Sequence, residues 1–336
     1  MTDPSKPATI YDVAEHAGVS ISTVSNVLNK PDRVAAHTRT KVLQVADELG
    51  YLPKATAIDL ARRQTGRIGV VAPFSTYPSY LRRLVGVMRA TRGQAVDISL
   101  IDQESAATAS SPLLASMPIR GVVDGLIVMG APIEVSTEDR LASRGLPVVL
   151  VDADSERFSV VNIDDHGAGQ RAARYLLDLG HRRIGYLSES QATDYESQAR
   201  RRLGGFRSEL RAHPDVVLTP THAEGTMAAA REAALVLLDR PDRPTAVMAH
   251  FDDLALGVVH AAAELGLAVP GDVSVLGFDD GPAAEAAGLS TVRQPFEESG
   301  SVAAGLLLEA IGGATQRRKT LLDCALVERR TTAPPR

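Results

Sequence analysis

From Gly66 onward, short apolar runs alternate with amphipathic stretches of helical period, and few folds accommodate that pattern. The β-rich runs are RIGVVAPF (67–74), QAVDISLID (94–102), VDGLIVMGA (123–131), LPVVLVDAD (146–154), RRIGYLSES (182–190), PTAVMAHFD (244–252) and DVSVLGFDD (272–280). Helical stretches near 81–92, 167–179, 199–210 and 254–265 lie between them. Strands separated by helices pair in parallel and are covered on both faces, which predicts an α/β fold. Seven or more strands divide into two similar lobes around Val161 to Asp165. Ligands bind in the crevice outside the carboxyl ends of such strands.

The first fifty residues have no strand-like run. Thr9 caps a helix to Ala17, with Asp12 three residues on in an approximate capping box. Gly18 supplies the left-handed turn, Ser20 caps a second helix, Ile21 to Leu28, and a third runs from about His37 to Leu49. Val13, Ala14, Ala17, Val24, Val27, Leu28, Val42, Val45, Ala46 and Leu49 recur at helical spacing as a three-helix core. The run Gly18-Val19-Ser20-x-x-Thr23-Val24-Ser25 reads as a helix-turn-helix. Ile21, Ser22, Ser25 and Asn26 lie off the core face and can reach base edges in a major groove. Hydroxyls suit phosphates and Asn suits adenine. The plainer reading is a generic three-helix bundle with polar caps.

Composition excludes several classes. Among 336 residues, 44% are hydrophobic, enough for a large core, and no apolar run approaches the roughly 18 residues of a membrane span. The opening MTDPSKPATI lacks a secretory pattern, so a cytoplasmic protein is expected. One cysteine, Cys324, forbids an intrachain disulfide or a thiolate metal cage and suits a small core hydrophobe. Through Thr65 eight Lys or Arg stand against seven Asp or Glu, and the remainder holds 28 against 34. DNA binding must therefore come from local placement, because an acidic body discourages adhesion to polyanions.

TIYDVAEHAGVSISTVSNVLN (9–29) and RVAAHTRTKVLQVADELGYLP (33–53) resemble the headpiece of the lactose/galactose-repressor (LacI/GalR) family. The likeness continues through IGVVAP (68–73), VDGLIV (123–128), LGHRRIGYL (179–187), RRLGGF (201–206), DLALG (253–257), VPGDVSVLGFDD (269–280) and STVRQP (290–295), in the family's order. It implies a headpiece (1–50), a hinge helix or linker (51–65) and a two-lobed core like that of periplasmic sugar-binding proteins (66–332). Crossovers between lobes are implied near Ile163, Val292 and Asp323. As in the family, a homodimer would bind a near-palindromic duplex operator, with Thr9, Ser20, Ile21, Ser22, Thr23, Ser25, Asn26 and Asn29 at the DNA. Leu60 would wedge between base steps in the minor groove, or merely pack the hinge pair, with Ala57 facing its partner helix. Lys54, Ile58 and Asp59 depart from the usual hinge, and Asn26 stands where many relatives carry Arg. No leucine heptads follow Thr332, so a dimer rather than a tetramer is expected.

The resemblance also places effector contacts. Arg202 matches a hydrogen-bonding arginine, Asp279 an acceptor for effector hydroxyls, and Asp152 a third polar contact. Each could instead form an ion pair across the cleft. Phe251 replaces the Asn or Ser of many sugar-responsive relatives and precedes Asp252. Phe74, Tyr77, Tyr80, Phe251 and Phe278 fall at strand ends, although core packing explains Phe278 equally well. Aromatic faces beside carboxylates and an arginine suit a hydroxylated ring, a sugar or nucleoside. No cofactor, metal or membrane partner is expected. AHFDDLALG (249–257) superficially resembles the zinc motif of N-acetylglucosamine-type deacetylases, but Phe251 and Leu254 replace its proline and glutamate and no second His pair follows. A stand-alone solute-binding protein is the other alternative, and the headpiece argues against it.

Overall fold

The computed structural model describes residues 9–29, 33–49, 51, 65–103, 123–130, 133, 135–143, 145–191 and 196–336. The chain divides into two compact units, Met1–Thr65 and Gly66–Arg336. The expected hinge helix, with Ala57 and Leu60, lies outside the described residues, as does the side chain of Asn29.

In the first unit, α1 (Ile10–Ala17), α2 (Ile21–Asn29) and α3 (Ala36–Glu48) enclose Val13, Ala14, Ala17, Val24, Val27, Val42 and Ala46. Thr9 opens α1, and its amide and hydroxyl both donate to the Asp12 carboxylate, at 2.7 and 2.6 Å. Those bonds hold the Asp12 carboxyl below its ordinary value. Gly18, at φ 65°, closes α1 while its amide and that of Val19 return to Glu15 and Ala14. Ser20 then accepts from the Thr23 amide at 3.1 Å, starting α2.

The second unit is an α/β structure of two six-stranded sheets. The first lobe orders its strands β2 (Asp97–Asp102), β1 (Arg67–Ala72), β3 (Gly125–Met129), β4 (Val148–Val151), β5 (Ser159–Ile163) and β11 (Lys319–Leu322), all parallel. The second orders β7 (Val217–Ala223), β6 (Arg183–Glu189), β8 (Ala246–Ala249), β9 (Ser274–Asp279), β10 (Ser290–Arg293) and an antiparallel β12 (Ala325–Val327). Helices α4 (Ser79–Ala90), α5 (Val135–Ser143) and α11 (Phe296–Ile311) complete the first lobe. Helices α6 (Asp165–Asp178), α7 (Gln198–Leu210), α8 (Met227–Leu238), α9 (Asp252–Glu264) and α10 (Pro282–Ala287) complete the second. The chain passes between lobes after Ile163, after Arg293 and through Asp323–Cys324. Cys324 is buried at this last passage, where loss of water pushes its thiol up to about 12.

The central strands of each sheet are wholly buried because both faces carry helices. Both lobes use one packing device. In the first, a Cβ on Gly86 of α4 would lie 1.9 Å from the Glu297 carbonyl, and one on Gly300 of α11 would lie 1.9 Å from the Arg83 carbonyl. In the second, a Cβ on Gly169 of α6 would lie 2.0 Å from the Arg202 carbonyl, and one on Gly205 of α7 would lie 1.9 Å from that of His166. Each pair of helices thus crosses backbone to backbone. Two of these four carbonyls belong to Arg83 and Arg202, whose side chains turn toward the space between the lobes.

Candidate functional site

A cleft of about 540 Å³ lies between the lobes, at the carboxyl ends of both sets of strands. Asp152, Asp279 and Asp280, the described non-glycine residues with positive φ (58°, 112° and 56°), follow or end β4 and β9 at this cleft. Such backbone costs of order 1–3 kcal/mol per residue and concentrates where function fixes geometry.

From the second lobe, α7 presents Arg202. Its guanidinium bonds Asp165 at 2.8 Å and the His250 carbonyl at 2.6 Å, and stacks on the Phe278 ring at 3.4 Å. The pair is nearly inaccessible to water, and burial pushes the Asp165 carboxyl up even though Arg202 opposes the shift. Arg202 also lies 3.2 Å from His250 Nδ1. Burial and the neighbouring guanidinium hold that imidazole neutral, far below its ordinary value. From the first lobe, α4 presents Arg83 in the same manner, bonded to the Asp152 carboxylate and stacked on Phe296 at 4.4 Å.

Among the described residues, several contacts join the lobes directly. The Tyr77 hydroxyl donates to Glu189 at 2.8 Å, and Arg82 reaches the Asp280 carbonyl at 2.9 Å. Arg201 meets Asp154 at 2.6 Å, and the Gln198 amide donates to the Asp152 carbonyl. Asp252, at the start of α9, accepts from Thr291 at 2.6 Å and from the Gly281 amide at 2.8 Å, tying β10 and the loop before α10 to one carboxylate.

Residues 9–54 match the bacterial regulatory proteins of the lacI family, and residues 173–332 match a periplasmic binding protein-like domain. A relative, the HTH-type transcriptional repressor PurR of Edwardsiella ictaluri, is 33% identical over 97% of both chains. The chain belongs to the LacI family. Within this family its headpiece makes it a DNA-binding transcription regulator. The Lac repressor dimer bound to operator and the anti-inducer ONPF is similar in structure, with a TM-score of 0.78 and 28% identity over 98% of this chain and 100% of that one. A LacI family regulator from Enterococcus faecium with bound ribose shares 27% identity at a TM-score of 0.69, over 80% of this chain and 99% of that one.

Of the effector contacts expected from sequence, Tyr77, Asp152, Arg202, Phe251, Asp252 and Asp279 line the cleft. Phe74 is not among the lining residues; it packs, half-buried, on the first lobe's core, because the chain turns immediately after β1. Phe278 is fully buried and reaches the site only as the platform under Arg202. The Arg202 ion pair forms within the second lobe rather than across the cleft, since Asp165 opens α6 beside α7. Sequence reading missed Arg83, Glu189 and His250. Glu189 and His250 were open to discovery, because they end or directly follow β6 and β8, where ligands gather in such sheets.

On the headpiece, Ile21, Ser22 and Asn26 stand exposed on α2, opposite buried Val24 and Val27, with Thr23 and Ser25 at the margins. The Ser20 hydroxyl bonds those of Ser22 and Thr23 at 2.7 and 2.8 Å, so three hydroxyls gather at the helix N-terminus, a favourable end for phosphate. Tyr11 on α1, passed over in the sequence, is 67% exposed.

Desolvation pushes the carboxyls of both Asp252 and Asp279 up; the charge of Asp279 adds to the rise at Asp252, while Arg202 opposes it at Asp279. Groups raised in this way favour the native state at acid pH and lose that contribution as pH climbs through their folded values. The melting temperature of wild type relative to Asp252→Asn is therefore expected to fall as pH rises from about 4 to about 7. Parallel pH profiles of the two proteins would contradict the assignment.

Proposed function

We propose that the chain is a ligand-responsive repressor which binds a near-palindromic operator as a homodimer and takes a small hydroxylated ring, a sugar or nucleoside, in its cleft. One observation carries this reading: a helix-turn-helix with an exposed polar second helix shares the chain with a half-enclosed two-lobed cleft. The operator-bound dimer and the ribose-bound regulator among its structural neighbours support both halves. In this reading Thr9, Ser20 and Thr23 contact phosphates, Ile21, Ser22, Ser25, Asn26 and Asn29 face the bases, and Leu60 wedges the minor groove beside Ala57. The regulator acts in the cytoplasm, where its DNA is. Among the described residues no helix is long and apolar enough to cross a membrane.

Phe251, Tyr77 and Tyr80 offer ring faces, and Asp279 and Glu189 offer acceptors. Closure of the lobes on a ligand shifts the hinge and changes operator affinity. Coupling of this kind is typically about 1–3 kcal/mol, a roughly five- to 150-fold response. The hydrolase alternative sits badly with the site, because His250 is engaged by Arg202 and Asp252 by Thr291 and Gly281.

Genome-wide mapping of occupied sites, followed by titration of the recovered duplex, tests the reading; absence of sequence-selective binding would defeat it. On the recovered operator, Asn26→Ala is expected to cost about 1–3 kcal/mol on the preferred base and little on its substitutes. Equal loss on every sequence would make Asn26 a phosphate contact instead.

A further inference from the structure

Among the described residues three arginines line the cleft, and the charge of each is balanced by a carboxylate. Arg82 grips Glu297 through two bonds, at 2.9 and 3.1 Å, and spends its remaining nitrogen on the Asp280 carbonyl. Arg83 is bonded to Asp152 and Arg202 to Asp165, with both guanidinium faces laid on aromatic rings. His250 adds no charge, because burial beside Arg202 keeps it neutral.

The acidic side of the same cleft is different. Glu189, Asp252 and Asp279 receive uncharged donors: the Tyr77 hydroxyl at 2.8 Å, the Thr291 hydroxyl and Gly281 amide at 2.6 and 2.8 Å, and the Gln294 amide at 2.5 Å. Asp253 lines the cleft as well. A carboxylate has about four acceptor positions, so at Glu189 and Asp279 capacity remains for a ligand's hydroxyls. The described lining thus holds more carboxyl groups than arginines, with acceptors available and each arginine's charge balanced by a carboxylate, while Arg83 and Arg202 each keep a buried Nε without a hydrogen-bond partner.

Resting on the effector reading above, we infer that the cleft selects a non-anionic, hydroxyl-rich ring and refuses the phosphate ester of the same compound, with Glu189 as a specificity-determining residue. A phosphate would meet like charge in a half-enclosed space, where the charge of each lining arginine is already balanced by a carboxylate. Glu189 is the natural determinant because it ends β6, faces the opposite lobe through Tyr77, and is a carboxylate without an ion-pair partner in the described structure.

The test is calorimetric titration of the full-length chain with matched pairs: ribose and ribose phosphate, glucose and glucose phosphate, adenosine and adenylate. In whichever pair binds, the phosphorylated member is expected to be at least about 100-fold weaker, since like charges brought together cost several kcal/mol. Glu189→Gln keeps an acceptor for Tyr77 and removes one charge, so, whatever the lost carboxylate acceptor costs the neutral member, the ratio between the two members should narrow about tenfold. Equal or tighter binding of the phosphorylated member overturns the charge selection and leaves the effector reading standing. A gap that Glu189→Gln leaves untouched removes Glu189 as the determinant. If no member of any pair binds, these rings are not effectors and the sugar or nucleoside reading itself falls.

Discussion

Arg202→Ala is expected to destabilise the core by about 3–5 kcal/mol, because it strands the buried Asp165 carboxylate without its cation. The loss would appear as a lowered melting temperature, independent of any ligand. It should shrink at acid pH, where Asp165, already pushed up by burial, takes a proton. Arg202→Ala combined with Asp165→Asn should be less destabilised than Arg202→Ala alone, since no charge is then left buried. If the single variant melts like wild type, Arg202 is not a structural element of the second lobe and its role is confined to the cleft. Loss of ligand response in Arg202→Ala is accordingly a poor assay of direct contact. Substitutions at Glu189 or Phe251 probe the cleft more cleanly.

Gly205→Ala is the second large effect. Its methyl group would fall 1.9 Å from the His166 carbonyl, a backbone atom that can retreat only if α6 and α7 separate. Overpacking of this sort costs about 1–3 kcal/mol and sometimes more. Gly204, one residue earlier on the same helix, has nothing within 4 Å of the equivalent position. Gly204→Ala is therefore expected to stabilise by about 0.5–1 kcal/mol, the usual gain from replacing glycine within a helix. Opposite signs at adjacent residues separate helix propensity from packing. A Gly205→Ala protein that melts with or above Gly204→Ala would show that the two helices are not in backbone contact.

Most strands legible in the sequence have helices on both faces, although the exposed edge strand β2 was legible too and the interior strand β5 was not. Val148–Val151 and Ala246–Ala249 are buried throughout, so their apolar runs are unbroken. Strand β7 was missed for the converse reason: it is a sheet edge, mostly accessible to water, and carries Pro220 where an edge alone tolerates it. Strands β10 to β12 are three or four residues long and owe their form to their neighbours. The site divided in the same way. Family likeness placed Asp152, Arg202 and Asp279 at the cleft, but said nothing of what they bond. Asp165 lies 37 residues from Arg202, and Asp152 lies 69 from Arg83. Partners so distant are set by how helices dock on a sheet, which no local pattern encodes.

The first lobe is not a continuous piece of chain, and this bears on how it comes into being on the ribosome. Its strands β1 to β5 are delivered by Ile163, yet α11, which crosses α4 at Gly86, begins at Phe296, and the edge strand β11 begins at Lys319. Through synthesis of about 130 intervening residues, at roughly 5–20 residues per second, the first-made sheet waits with one helical cover absent. Ile68, Ile127 and Val161 lie in the cluster that α11 seals. The second lobe matures during that interval, lacking β12 and the C-terminal segment that bonds Val275, Ser290 and His181. It is thus the later-made lobe that stands nearly complete first, and the nascent first lobe that is exposed longest to chaperones and proteases.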